Sequence, residues 1–270
     1  MALPADLLLV RHGESEGNVA VNASKRGDES YMHQKFMEQH SSRWRLSVRG
    51  REQAQLTGLW LRENFPGGFD RYYVSEFTRA LETAALLDLP DANWYINPYL
   101  RERWRGDMDR ISLAQKSSLL EQSLADKKTT PYYWRPPNGE SLVEVGARLR
   151  LVLETLHREC SGKRVIIVCH GEVMEAFRIE LEQMREHQYL EWDQAKETDK
   201  TLQIRNCQIF HYSRREPGGK SAELAAHMDW KRSLCPSLDQ YGDWHPIQRK
   251  RYSSQDLLEL AETAPHLFAS

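Results

Sequence analysis

The chain has 270 residues, of which 40% are hydrophobic and 28% charged, enough apolar material for one large or two small α/β domains and too much for a globally disordered chain. Its 37 Lys+Arg nearly balance its 39 Asp+Glu, leaving a formal charge of -2, so neither nucleic acid nor a membrane surface is an expected partner. No apolar run is long enough for a signal peptide or a membrane span, and the four cysteines (Cys160, Cys169, Cys207, Cys235) show no CxxC pair or metal-ligand spacing. Cys169 and Cys207 sit in apolar runs and read as buried free thiols, and a reducing, cytoplasmic setting fits.

Residues 7–10 (Leu-Leu-Leu-Val) form a short continuous apolar run, the pattern of a strand buried on both faces. A polar stretch without periodicity follows over 19–46, too long for a simple connection and therefore a candidate lid or a surface insertion. Ser47 is placed to cap a helix with Ala54, Gly58 and Leu61 on one face, and the Pro-Gly-Gly at 66–68 ends it. A strand at 72–74, a helix over 78–87 and a strand at 94–96 come next, then an arginine-rich loop over 101–110. Residues 111–137 read as a weak helix and a connection rich in proline and aromatic residues.

Leu142, Val145, Leu149, Val152 and Leu156 step by three and four, the stripe of a buried helix. Residues 165–168 are a second fully buried strand. Met174, Phe177, Leu181 and Met184 mark another amphipathic helix, and 203–212 reads as a last strand. The alternation predicts an α/β fold of three layers, with a mostly parallel sheet covered by helices on both faces. The expected domain spans 1–212. The polar tail over 213–270, with its Arg249-Lys250-Arg251 run, is expected to pack on it and has no assigned chemical role.

His12 and His170 each end one of the two most buried strands, and a glycine follows each. Ligands of open α/β sheets bind outside the carboxyl ends of parallel strands. Glycine there lets the backbone turn and leaves amide groups free to face an anion. A lone histidine of this kind is often a satisfied near-core residue; two in matched contexts favour a site.

At these residues the chain resembles the histidine phosphatase superfamily, in its phosphoglycerate mutase-like branch. Val10-Arg11-His12-Gly13-Glu14-Ser15 with Asn18 carries the first block. Leu46-Ser47-x-x-Gly50-x-x-Gln53-Ala54, Ser75-x-x-x-Arg79-Ala80-x-x-Thr83-Ala84, Leu100-Arg101-Glu102, Gly139-Glu140-Ser141 and Val168-Cys169-His170-Gly171 follow in order. The phytase-like branch is disfavoured, because Ser15 and Gly17 stand where its Arg and Pro are expected.

The resemblance implies hydrolysis of a small phosphate monoester through a phosphohistidine on His12, with no cofactor and no metal. Arg11, Arg79 and His170 would hold the phosphoryl group, His170 as an imidazolium, and Glu102 would be the proton donor. Neutral imidazole is a competent nucleophile near pH 7, and fixed guanidinium groups meet the charge of the transferred group. Glu172, beside Gly171 at a helix start, is the rival acid, or else it only complements the helix dipole.

Ser15, Asn18 and Gly171 are candidate phosphate contacts, the first two also candidate caps. Arg103 and Arg105 either contact a second anionic or planar part of the substrate or pair with Asp107 and Asp109. The short interval from Glu102 to Glu140 favours a phosphatase over a mutase-type phosphoryl transfer. A non-catalytic phosphate-binding regulator is the third reading. The oligomeric state is left open by the sequence.

Overall fold

The computed structural model describes residues 2–109, 111–112, 115, 121–219 and 223–264. The chain forms a three-layer α/β sandwich around one mixed sheet in the order β3-β2-β4-β1-β5-β6-β7, with β8 also paired to β6. β1 (Asp6–Arg11), β2 (Arg71–Val74), β3 (Trp94–Ile96) and β4 (Arg164–Cys169) run parallel. These four are the strands whose ends position the site. β5 (Ile209–Ser213), β6 (Trp230–Cys235), β7 (Gln240–Tyr241) and β8 (His245–Pro246) continue the sheet in antiparallel fashion.

The two apolar strands sit at the centre because nothing in them can face water. Leu7 through Val10 and Val165 through Cys169 are all fully buried. Side chains alternate across a strand, so Leu7 and Leu9 join one core cluster with Val145, Leu149, Leu156 and Phe177. Leu8 and Val10 join the other with Leu61, Ala80, Ala84 and Leu87. Burial of each such side chain contributes about 1.5–3 kcal/mol.

The helices of one layer are α3 (Val48–Asn64) and α4 (Thr78–Leu86), preceded in the chain by α1 (Glu16–Ser24) and the short α2 (Gln34–Glu38). α5 (Glu121–Thr129) follows the arginine-rich loop. α6 (Leu142–Glu159) and α7 (Gly171–Glu182) form the opposite layer, with α8 (Glu186–Thr198) beside them and α9 (Ser254–Glu262) in the tail. Ser47 caps α3 by accepting from the Gly50 amide at 3.0 Å, and Ser141 with Glu144 forms a capping box on α6.

Two expectations shift. The last predicted strand is shorter, because Arg205, Asn206, Cys207 and Gln208 make a turn in which Cys207 takes φ +57° before β5 begins. α8 was not foreseen, since only Tyr189 and Trp192 of it are buried and its apolar stripe is thin. All four cysteines are free and buried. Of the weak helix expected after 111, α5 is described; residues 113–114 and 116–120 lie outside the described residues, as does Arg110. No helix among the described residues is long and apolar enough to cross a membrane.

Candidate active site

The parallel strands β1 and β4 deliver His12 and His170 side by side, their rings in edge contact with centroids 5.1 Å apart. His12 is 2% exposed. Its Nδ1 lies 2.7 Å from the Gly13 carbonyl, which can only accept, so Nδ1 carries the proton and Nε2 keeps its lone pair. Arg79 Nε donates to that Nε2 at 3.1 Å. Burial, then the charges of Arg79 and Arg11, hold the His12 pKa well below its ordinary value. The ring is a neutral base with its free nitrogen facing a guanidinium.

Gly13 fits here because it lies against α3: a Cβ on Gly13 would stand 2.3 Å from the Gly50 carbonyl oxygen. Its amide donates to Thr83 Oγ1 at 3.0 Å, and Thr83 in turn donates to the Arg79 carbonyl at 2.7 Å. The turn after β1 and the helix carrying Arg79 are thereby locked together. Asn206 Nδ2 donates to the His12 carbonyl at 3.1 Å and, at 3.1 Å, to Asn18 Oδ1.

Arg79 is buried, with NH1 on the Ser41 carbonyl at 2.8 Å and its guanidinium over the Phe77 ring. Burial and the neighbouring Arg11, opposed by Glu102, bring its pKa down to about 10. Arg11 NH1 is anchored on the Ile204 carbonyl, while its buried Nε has no partner. His170 Nε2 pairs with Ser75 Oγ at 2.8 Å, and its buried Nδ1 is also unpartnered. Buried polar atoms are rarely left unsatisfied, and both of these belong to residues that neighbour His12, Arg11 also lining the cleft. At His170 burial and then the Arg79 charge push the pKa well below 6.5, so the ring is neutral, and the expected imidazolium requires the charge of a phosphate beside it.

Glu102 and Glu172 are separated by their partners. Glu172 is held by Arg103 at 3.0 Å and Arg105 at 2.7 Å. Burial pushes its pKa up, but Arg105 and Arg103 outweigh burial and hold it below the ordinary value. Glu102 accepts from its neighbour's amide at 3.0 Å, and its pKa is raised by burial and by the Glu172 charge, against the pull of Arg79. Two nearby carboxylates pushed apart in this way mark an acid and an ion.

The loop bearing Glu102 is tied to the start of α6. The Glu140 carboxylate accepts from the Trp104 amide at 2.9 Å, from Arg101 at 2.8 Å and from Arg148 Nε at 3.1 Å. Arg148 also donates to the carbonyls of Tyr99 and, at 2.9 Å, of Arg101. Gly139-Glu140-Ser141 thus does more than start a helix.

A cleft of about 420 Å³ is lined by Arg11, His12, Arg79 and Glu102 at its inner end. The 19–46 stretch supplies one wall of it, with Lys25, Phe36 and Trp44; residues 105–134 supply another, with Arg105, Leu124, Lys127 and Trp134. Phe36 stacks on Trp44 at 4.6 Å, and His40 stacks on Trp104 at 4.9 Å, joining the first wall to the acid loop. Beside this roof a second, more open cavity of about 610 Å³ also reaches Glu102.

Ser15 and Asn18 line the cleft but also form the capping box of α1, and Asn18 Oδ1 is taken by Ser15 and Asn206. Gly171 opens α7 beside Arg11, and a Cβ there would make only an ordinary contact with Arg11 Nε at 3.4 Å. Arg103 requires a correction. Expected at the substrate or beside Asp107 and Asp109, it is 4% exposed and donates to Glu140, Trp134 and Glu172. Its guanidinium holds the walls together. Arg105 keeps a partly exposed side chain in the cleft, and Asp107 takes Asn138 instead of an arginine. Ser75, Thr83 and Gln53, quoted only as members of motif blocks, hold His170, Gly13 and the Glu14 amide. Asn206 had no motif signal.

The sequence model of the histidine phosphatase superfamily (branch 1) matches residues 7–209. A 2,3-bisphosphoglycerate-dependent phosphoglycerate mutase of Methylobacterium radiotolerans is 29% identical over 192 residues, 67% of this chain and 81% of that protein. Among solved structures, one titled mycobacterial hydrolase 2 aligns over 99% of this chain and 100% of its own, with a TM-score of 0.62 and 21% identity. A mycobacterial glucosyl-3-phosphoglycerate phosphatase aligns over 77% and 92%, with a TM-score of 0.60 and 21% identity. These two likenesses concern the fold.

Proposed function

The chain belongs to the histidine phosphatase superfamily (branch 1), and within it we propose a phosphatase that hydrolyses a small phosphate monoester through a phosphohistidine on His12. The observation that carries this reading is the inner end of the cleft: a neutral His12 with Nε2 free of a proton, and the unpartnered Arg11 Nε and His170 Nδ1 beside it.

Substrate phosphate would displace the Arg79 Nε contact from His12 and take that donor itself, together with Arg11. Nε2 then attacks phosphorus in line, and the P–O bond to the leaving group breaks as the N–P bond forms. Glu102, whose pKa is raised by burial and by the Glu172 charge, gives its proton to the departing oxygen. The resulting carboxylate takes a proton from water as that water attacks the phosphohistidine, releasing inorganic phosphate and restoring His12. A neutral His170 gains a reason to take up a proton only when the phosphate dianion arrives. Guanidinium groups meet the charge of the transferred group, so we assign no metal to the reaction. Four buried free thiols fit a cytoplasmic setting.

Hydrolysis is favoured over transfer to a second organic acceptor because Glu102 also faces the open outer cavity, which gives water a way to the base. The mutase reading is favoured by the name of the bacterial relative. The deciding experiment is inorganic phosphate release from a panel of phosphate monoesters in excess EDTA, wild type against His12→Ala. Release that survives EDTA and is lost in the variant supports the proposal. Activity retained by His12→Ala overturns the nucleophile, and label transfer between two phosphoglycerates without phosphate release turns the reading to a mutase.

A further inference from the structure

The inner end of the cleft provides for one phosphoryl group, yet the cleft is far more cationic than that group needs. Its described lining holds six Lys or Arg side chains against two carboxylates, Glu102 and Asp109, in a chain whose formal charge is -2. Arg11 and Arg79 belong to the reacting centre and Arg103 to the wall. The surplus comes from three separate elements: Lys25 at the end of α1, Arg105 after the acid loop, and Lys127 in α5.

Their charge is unevenly compensated. Burial lowers the Arg105 pKa, but the carboxylates around it, Glu172 first and then Glu102, outweigh burial and hold it above the ordinary value, while the two lysines have less. Arg105 shares the single Glu172 carboxylate with Arg103. The ammonium groups of Lys25 and Lys127 make no ion pair among the described residues, and Lys127 has only the face of Trp134, 5.6 Å from the ring centroid. The Lys127 pKa is lowered, first by burial and then by the guanidinium of Arg105, so the two cations crowd each other. Trp44, Leu124 and Trp134 line the same cleft and give it apolar surface beside these cations. Cations over an apolar floor are worth more to an anion than cations in open water.

We propose that Lys25, Arg105 and Lys127 form a second anion-binding subsite in the outer half of the cleft, and that the substrate is a phosphate monoester whose leaving group carries a second anionic group on a flat or apolar body. This rests on the reading of the inner end as the phosphoryl site. The aromatic surface takes the body of the leaving group, and the three cations take its far end. A carboxylate and a second phosphate share this chemistry.

The test is calorimetric binding, which needs no turnover. Benzylphosphonate, 4-carboxybenzylphosphonate and 1,4-xylylene bisphosphonate are titrated into wild type, Lys25→Met, Lys127→Met, the double variant and Lys127→Arg. Methionine keeps the apolar stem and removes the charge. The two analogues with an anionic tail bind wild type about tenfold more tightly than benzylphosphonate. Each Met variant loses about threefold on those two analogues, and the double variant about tenfold. Benzylphosphonate loses much less, and Lys127→Arg keeps the preference. The tighter of the two tailed analogues names carboxylate or phosphate as the second anion.

Equal affinity of wild type for all three analogues, or an equal loss on all three in the double variant, overturns the subsite. No binding by any analogue overturns the subsite and the phosphatase reading together. Charge-dependent binding without phosphate release from any ester leaves the subsite standing and removes the phosphatase alone.

Discussion

The two ends of the cleft are built by different means. At the inner end every working group is fixed by buried hydrogen bonds: His12 by Gly13 and Asn206, Arg79 by Ser41, His170 by Ser75. These groups stand on strand ends or in the helix that follows. The outer end is held by ring stacking, Phe36 on Trp44 and His40 on Trp104, and by cations with few partners. Hydrogen bonds are directional and stacking is tolerant. The chemistry is therefore held rigid while the surface that meets the variable part of the substrate can adjust.

The largest effect expected is at the inner end. His12→Ala should lower kcat by a factor on the order of 10⁴ or more, measured as phosphate release, because it removes the attacking nitrogen of the proposed mechanism. Glu102→Gln should cost about 10²–10⁴ on alkyl esters and far less on an aryl ester, whose phenolate leaves without a proton. Equal losses on both would take the proton-donor role away from Glu102.

The pH profile follows from the same pair. In the proposed mechanism His12 attacks unprotonated, and its pKa lies below the ordinary 6.5, so the acid limb of kcat/KM should fall below that pH. Glu102 acts while protonated, and its pKa lies above the ordinary 4.5, so activity is lost as pH rises through that raised value. In Glu102→Gln the alkaline limb should vanish and the acid limb stay.

Arg148→Met attacks the support of the acid loop instead of the acid. Leaving Glu140 with one fewer cation should reduce unfolding stability by about 3 kcal/mol. If the clamp positions Glu102, kcat should also fall about tenfold more on alkyl than on aryl esters, by analogy with the larger effect of the acid itself. A stability loss with an unchanged alkyl-to-aryl ratio would make the clamp purely structural. The smallest effect belongs to the outer end. His40→Ala removes one stacked pair, about 0.5–1.5 kcal/mol, and should change KM by no more than about tenfold with kcat unchanged. A fall in kcat as large as that of Arg148→Met would erase the contrast between the two ends.

The same division governs what the sequence could tell. The strands at residues 7–10 and 165–168 were legible because a strand buried on both faces must be continuously apolar, and the histidines that end them were found for that reason. Arg79 and Glu102 became visible only through motif blocks, since an arginine or a glutamate alone reads as surface. Asn206 was hidden in a turn taken for strand, because Cys207 adopts a left-handed conformation that its identity does not announce. Arg103 and Arg105 look alike in the sequence. Which of them is walled in depends on Trp134 and Glu140, both more than thirty residues away in the chain.

The position of β1 has a consequence for how the chain is made. Among the described strands it comes first in the chain, yet its neighbours in the sheet are β4 and β5: Leu7 pairs with Val165 on one side and Tyr212 on the other. At about 5–20 residues per second, its apolar run waits roughly 10–30 s for the first of those partners. Among the described strands it is therefore the one exposed longest to wrong pairing while the chain is made, so the continuous apolar run that places it at the centre of the sheet is also the segment most open to aggregation during synthesis.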